Sequence, residues 1–341
     1  MKKPIFAVCD LEAAYAYHLM ERSNGKPGMP FEMQAFTNIK SLGLYASQHE
    51  IWILLISAKA MCPEVKDMNI RKIMILSEGE IIEELAEYPA VYKYQSSDSL
   101  IAEVMGYYSR QEAAADPLAV MKKDVELIGV YSPVRRTLKT SFALTLGQVL
   151  AQGRTVLYIN LEAYSGMEEL LGKEFDTDIT DLMYFVKEGN GNVIYKLNSI
   201  VQTFHNLDFL PPALSPYDIR DVTQKDWEGL LDEVVQFSTY NTIILDLDEH
   251  VEGAFELLRR CGRIYMPVRE DHVSASKLAQ YEKLLRRWDY EDIMEKTRKL
   301  KLPFHSSFGE RGDYLEQLLW GELGDYVRKL VKEERSGPYG K

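Results

Sequence analysis

The chain has 341 residues, 46% of them hydrophobic and 27% charged, with a formal net charge of −12. That composition is ordinary for a globular protein, and no run reaches the ~18 consecutive apolar residues that a membrane span needs. An acidic chain without a clear basic cluster is poorly suited to nucleic acid, whose binding runs on cations that neutralise phosphates. The three cysteines, Cys9, Cys62 and Cys261, stand apart from one another and suit neither a disulfide framework nor a metal site. Met1 is followed by two lysines, a proline and a strand-like run, without the apolar segment of a secretory signal, so a cytoplasmic location is expected.

The length suggests two domains, on a prior of about 150 residues each. In the first, Pro4 to Cys9 reads as a strand and Leu11 to Arg22 as a helix, then Phe31 to Thr37 as a strand and Ile39 to His49 as a helix. Ile51 to Ser57 and Lys72 to Leu76 follow as strands, Ile81 to Leu85 as a short helical piece, Val91 to Tyr94 as a last strand and Ser97 to Tyr108 as a helix. Five short strands with intervening helices make a doubly wound sheet over residues 1–110. Gln111 to Lys123, with its alanines and a proline, reads as the linker.

The second domain, expected over 124–335 with a flexible tail at 336–341, opens on the stretch around which the chain is organised. Leu127 to Tyr131 is a buried strand, Thr140 to Gln152 an amphipathic helix, and Thr155 to Asn160 a second buried strand. Read as one βαβ unit of adjacent parallel strands, this leaves the loop after the first strand at the carboxyl edge of the sheet. The helix amino terminus is aimed at whatever binds there, usually a phosphate. Further strands are expected around Leu207 to Leu210, at Tyr240 to Asp248 and at Arg263 to Val268, with helices at Trp227 to Phe237 and Ser274 to Trp288. A carboxyl-terminal helix over Tyr314 to Lys332 carries Leu315, Leu318, Leu319, Leu323, Tyr326, Val327 and Leu330 near one face. Glu316, Glu322 and Asp325 interrupt its polar face, so it is expected to pack on its own domain rather than to enter a membrane.

The loop, Ser132-Pro-Val-Arg-Arg-Thr-Leu-Lys139-Thr140-Ser141, ends like a phosphate-binding loop but lacks the preceding glycines. It resembles that of the MinD/ParA group of P-loop ATPases, whose loop runs Lys-Gly-Gly-x-Gly-Lys-Thr. On that pattern Val134 replaces the early signature lysine, Arg135, Arg136 and Leu138 replace the glycines, and Lys139 and Thr140 match. Losing three glycines is expected to reshape the loop, because glycine supplies positive φ and close backbone approach. The two arginines could offer charge to a phosphate or occupy its place.

The resemblance implies ATP with magnesium: Lys139, Thr140, Ser141, Arg135 and Arg136 around the phosphates, Pro267 near the adenine, and Thr140 with Asp246 on the metal side. It also implies Glu162 as the acid that polarises the attacking water, beside Asp246 at the end of its strand. The first domain resembles a response-regulator receiver, in which Asp10 and Glu12 match the acidic position and Lys93 the lysine. Ser57 stands at the end of the third strand where the phosphoryl-accepting aspartate would be, so no acceptor is present.

A receiver-like domain followed by a MinD-like domain resembles the CpaE/TadZ family of tight-adherence pilus systems. That resemblance implies a cytoplasmic homodimer, placed at a pole or membrane focus, that recruits pilus and secretion proteins. It implies no nucleic-acid partner and no stable membrane insertion. The missing signature lysine argues for weak or lost ATP hydrolysis. A working ATPase switch, and a pseudo-receiver regulator unrelated to pili, are the other readings.

Overall fold

A computed structural model describes residues 3–26, 28–79, 83–109, 124–189, 193–303 and 314–336. The chain divides into two compact units, the first taking in Met1–Met121, Ile194–Ser199 and Phe237–Thr239, the second the remainder. The segment read as a linker, 111–123, and the tail beyond 336 lie outside the described residues.

The first unit is built on β1 (Ile5–Cys9), α1 (Ala13–Asn24), β2 (Glu32–Phe36), α2 (Ile39–Ala46), β3 (Ile51–Ser57), β4 (Ile70–Ser77), β5 (Ala90–Tyr92) and α3 (Ser97–Ser109). Its strands are all parallel in the order β2-β1-β3-β4-β5, the flavodoxin-like doubly wound arrangement. β1 is buried along its whole length, as a central parallel strand covered on both faces must be. The crossovers after β3 and β4 carry only 3-10 turns among the described residues, Pro63–Asp67 and Glu83–Leu85. Of the helical piece expected at Ile81 to Leu85, only the second of these turns is described. α2 starts where the Asn38 side chain accepts a hydrogen bond from the Ser41 amide at 2.9 Å, satisfying one of the free N–H groups of the first turn.

The second unit follows as β6 (Glu126–Val130), α4 (Lys139–Leu150), β7 (Val156–Leu161), α5 (Met167–Leu171), α6 (Ile179–Glu188), α7 (Val193–Ile200, most of it counted with the first unit), β8 (Gln202–Phe204), β9 (Leu207–Leu210) and α8 (Gln224–Phe237). Next come β10 (Thr242–Leu247), α9 (Ala254–Arg260), β11 (Arg263–Pro267), α10 (His272–Arg287), α11 (Glu291–Lys296), β12 (Thr297–Leu300), α12 (Tyr314–Trp320) and α13 (Glu322–Ser336). The seven strands run β12-β11-β6-β10-β7-β9-β8, parallel except for the β8–β9 hairpin at the edge.

One expectation is corrected here. β6 and β7 are not neighbours: β10 lies between them, with Asp246 beside Val130 on one side and Asn160 on the other. The crossover through α4 therefore steps over one strand. The inserted strand brings a carboxylate to the sheet edge directly below the loop.

α4 is buried nearly all round, from Phe142 to Leu150, because it lies between the sheet and the carboxyl-terminal helices. Gly147 lets it approach the hairpin, since a Cβ there would come within 2.8 Å of a Leu207 methyl.

The expected single terminal helix is instead two, α12 and α13, broken at Gly321. A Cβ on Gly324 would sit 1.8 Å from the Leu319 carbonyl, so the sharp change of direction depends on a residue without a side chain. Leu315, Leu318, Leu323, Val327 and Leu330 are buried in the core of this unit. At about 1.5–3 kcal/mol each, these five side chains represent roughly 8–15 kcal/mol of gross burial, an upper bound that any membrane-anchoring role would have to forgo. Among the described residues no helix is long and apolar enough to cross a membrane.

Candidate functional site

Three strand ends, the loop between β6 and α4 and the segment after β11 enclose a cavity of about 670 Å³. Its wall includes Ser132, Val134 to Ser141, Glu162 to Tyr164, Asp248, Glu249 and Arg269. Ser132 fixes the loop's entry. Its hydroxyl donates to the Pro267 carbonyl at 2.8 Å and accepts from the Val134 amide at 3.2 Å.

Arg136 and Leu138 take left-handed backbone, with φ of 59° and 61°. These are two of the three positions at which the resemblance would place glycine. The loop keeps the left-handed turns there despite the side chains, at a cost of roughly 1–2 kcal/mol per residue. The expected reshaping is thus strain rather than a change of path at these two residues. α4 begins immediately afterwards, so its free amide N–H groups and its dipole face the cavity.

Lys139 turns toward the sheet edge. Its ammonium lies 2.5 Å from Asp246 Oδ1, 2.7 Å from the Leu247 carbonyl and 2.9 Å from Glu162 Oε1. Burial works to lower the Lys139 pKa, but the charges of Asp246 and Glu162 outweigh it and leave the ammonium held above its ordinary range. Asp246 is fully buried. That burial raises its pKa, with Lys139 opposing. Its second oxygen accepts from the Tyr158 hydroxyl at 3.0 Å, and that hydroxyl accepts from the Asn160 amide at 2.9 Å. Asn160 in turn accepts from the Glu162 amide at 2.9 Å. Tyr158, Asn160 and Glu162 are two apart along β7 and its exit, so they fall on one face and form a single polar ladder.

The Thr140 hydroxyl donates to Glu162 Oε2 at 2.5 Å, and the Ser141 hydroxyl pairs with that of Tyr314 at 2.8 Å. Arg135 is exposed and meets Glu249 at 3.1 Å. Asp248 accepts from the Glu249 amide at 2.7 Å, and the His250 imidazole beside it, 3.8 Å away, holds its carboxyl well below the usual range. Contact with Asp248 pushes the Glu249 carboxyl up.

Of the residues singled out in the sequence, Lys139, Thr140, Ser141, Arg135, Arg136 and Glu162 line the cavity. Asp246 lies beneath its floor, and Pro267 is at the end of β11, tied to Ser132 by its carbonyl. Sequence reasoning passed over Tyr158, Asp248, Glu249 and Arg269. Asp248 could have been found from the Asp-Leu-Asp ending of β10, and Arg269 from its place just past β11.

The arrangement suits a polyphosphate: left-handed turns, a helix amino terminus, a lysine and three arginines face one cavity. It does not suit a divalent cation as the side chains stand. Asp246 has both oxygens engaged and no exposure, and the Thr140 hydroxyl is committed to Glu162. Among the described residues no group of three or more His, Cys, Asp or Glu side chains is placed to hold a metal ion.

In the first unit the receiver-like positions also come together. Lys93 is fully buried, 3.0 Å from Asp10, 3.3 Å from Glu12 and 3.4 Å from Glu78. Ser57 at the end of β3 has a buried hydroxyl without a hydrogen-bond partner. Arginines of the second unit are paired with acids: Arg259 with Asp292, Arg260 with Asp232, and Arg263 with Glu126 and Glu334. Such pairs leave less free positive charge for a phosphate backbone.

No protein-family model matches the chain, and no curated protein matches it. Among solved structures it is similar to a ParA family ATPase from Chlorobium tepidum TLS, at 15% identity and a TM-score of 0.50, over 61% of this chain and 98% of that one. A plasmid partition protein from Borrelia burgdorferi gives 15% identity and 0.41, over 62% of this chain and all of that one. An ATP complex of a McdA variant from Cyanothece gives 12% and 0.42, over 62% and 81%. At such identities a likeness is one of fold, and the first of the three carries it. The protein thus has an α/β fold of the ParA/MinD P-loop type in the sheet that bears the loop and Lys139.

Proposed function

We propose that the protein is a localisation and assembly scaffold of the CpaE/TadZ kind, serving a pilus or secretion system, whose second unit binds ATP with weak or lost hydrolysis. The observation that carries this reading is the loop itself. It keeps its left-handed turns and presents Lys139 at the start of α4, while Val134, buried, stands where a signature lysine would reach outward. Binding groups survive and a hydrolytic one does not. Glu162, the acid placed to polarise water, has one oxygen on Thr140 and the other on Lys139, so neither is free to orient an attacking water.

The first unit acts as a pseudo-receiver used for docking or self-association. Its lysine and first acid, Lys93 and Asp10, form a buried pair flanked by the exposed Glu12, and its third strand ends in Ser57, which lacks the carboxylate that receives a phosphoryl group. The chain acts as a homodimer at a cytoplasmic focus.

A working ATPase switch is favoured by one feature, the presence of Glu162 on the cavity wall within reach of Thr140. Multiple-turnover assays of the purified protein with Lys139→Ala as control separate the two: turnover that disappears in the variant defeats the scaffold reading. The pilus assignment is tested by the genes beside this one. A secretion ATPase and a pilin are expected there, and neighbours of another kind remove it.

A further inference from the structure

The charged groups around the cavity divide unevenly between those already committed and those still free. Every carboxylate is engaged. Asp246 is held by Lys139 and Tyr158, Glu162 by Lys139 and Thr140, Asp248 by the Glu249 amide and His250, and Glu249 by Arg135. The guanidinium groups are not. Among the described residues Arg136 makes no ion pair or hydrogen bond, and Arg269 has only a 3.8 Å approach to Asp271 with 57% of its side chain exposed. Arg135 is 77% exposed, and a pair as solvated as the one it makes with Glu249 contributes about 0–1 kcal/mol, so it is readily exchanged.

A divalent cation has two tasks at a nucleotide site: to neutralise phosphate charge and to fix the phosphate oxygens. Here the carboxylate that would help hold it is buried under an ammonium, while arginines at the rim can perform both tasks. Their planar forks pair with phosphate through two parallel N–H···O bonds.

We propose that this cavity takes a nucleoside polyphosphate as the free anion, with Arg136 and Arg269 supplying the charge and the grip that a divalent metal ion would otherwise provide. The proposal rests on the nucleotide-binding reading above and goes beyond it. It assigns Arg269, and it predicts that excess divalent cation competes for the ligand instead of assisting it. The Lys139–Asp246–Glu162 cluster then persists beneath the bound anion, which also explains how binding and hydrolysis become separated.

The test is a titration of the full chain with ATP, by calorimetry or with a fluorescent ATP analogue, in EDTA and in 5-fold excess Mg²⁺. A Kd tighter in EDTA than in excess Mg²⁺ is the expected result, since the cation withdraws the free anion. Arg136→Gln and Arg269→Gln are each expected to weaken binding in EDTA by about tenfold, with the far-UV circular dichroism unchanged. Tripolyphosphate, used as a second probe, is expected to compete with ATP in EDTA. Binding as tight or tighter with Mg²⁺, or binding that ignores both arginine variants, overturns the proposal while leaving nucleotide binding intact. No binding under either condition overturns the nucleotide reading itself and this proposal with it.

Discussion

Lys139→Met removes the ammonium and keeps most of the side-chain volume, leaving Asp246 fully buried with only the Tyr158 hydroxyl as partner. At 2.5 Å and an effective dielectric of ~20, the attraction between Lys139 and Asp246 is roughly 6–7 kcal/mol. Desolvation of the two ions, several kcal/mol each, offsets much of that, so the intact pair is close to neutral for stability. Breaking it is not neutral. The orphaned carboxylate is expected to cost about 3–5 kcal/mol, whereas Lys139→Met with Asp246→Asn should recover about 2–3 kcal/mol of this as coupling. Glu162 loses less than Asp246 in this variant, because its side chain is 23% exposed and can turn toward water. The assay is urea unfolding followed by tryptophan fluorescence in a Trp52→Phe background. That substitution leaves Trp227, Trp288 and Trp320, all in the second unit, as reporters of the right transition. A loss below about 1 kcal/mol for Lys139→Met, with no coupling to Asp246, would refute the ion-pair floor on which the site is argued.

The same reasoning reaches other positions. Arg136→Gly should stabilise the second unit by up to about 1 kcal/mol in the same assay, since relief of left-handed strain exceeds the added freedom of the unfolded chain. An unchanged or lower stability would mean that the turn is not strained. In the first unit, Lys93→Met leaves Asp10 buried beside Glu12 and should cost about 3–5 kcal/mol, much of it restored by adding Asp10→Asn. Burial opposes the charge on Lys93, but Asp10 and Glu12 raise its pKa above the ordinary value. Its contribution is therefore fully present below the unfolded lysine pKa of about 10.4 and fades as pH rises through the higher folded value. Unfolding midpoints of the first unit from pH 8 to 11 should fall only above that point, and a fall beginning near neutrality contradicts the assignment. Cys9 and Cys261 are buried, and burial pushes each thiol up to about 12, so at pH 8 a thiol reagent should label Cys62 quickly and the other two only after unfolding. Fast labelling of all three in the native protein would contradict the packing described.

Much of the architecture was legible because buried parallel strands announce themselves as short apolar runs, as in Ile51–Ser57 and Thr242–Leu247, and these emerged with boundaries close to those read. The position of Lys139 at the mouth of a sheet followed from a strand, a tight loop and a helix in succession. Strand order did not, because apolar runs carry no record of which neighbour they pair with, and β10 entered between β6 and β7. The break at Gly321 was hidden by a leucine pattern that continues in phase across it. Short edge elements such as Gln202–Phe204 fall below the length at which alternation is readable. At the site, the residue types were visible but not their commitments. Whether Asp246 faces a ligand or a lysine depends on a side-chain direction that sequence spacing does not encode, and Tyr158 looked like a strand residue until its hydroxyl met that carboxylate.

The measurement that bears most directly on the whole account is an equilibrium isotherm for ATP on the purified wild-type chain beside Lys139→Ala, with phosphate release followed in the same samples. Saturable binding of one nucleotide per chain, weakened tenfold or more in the variant and accompanied by no release above the variant's background, is the predicted outcome. A wild-type chain that stays unbound at millimolar ATP, or one that releases phosphate in a Lys139-dependent manner, contradicts it.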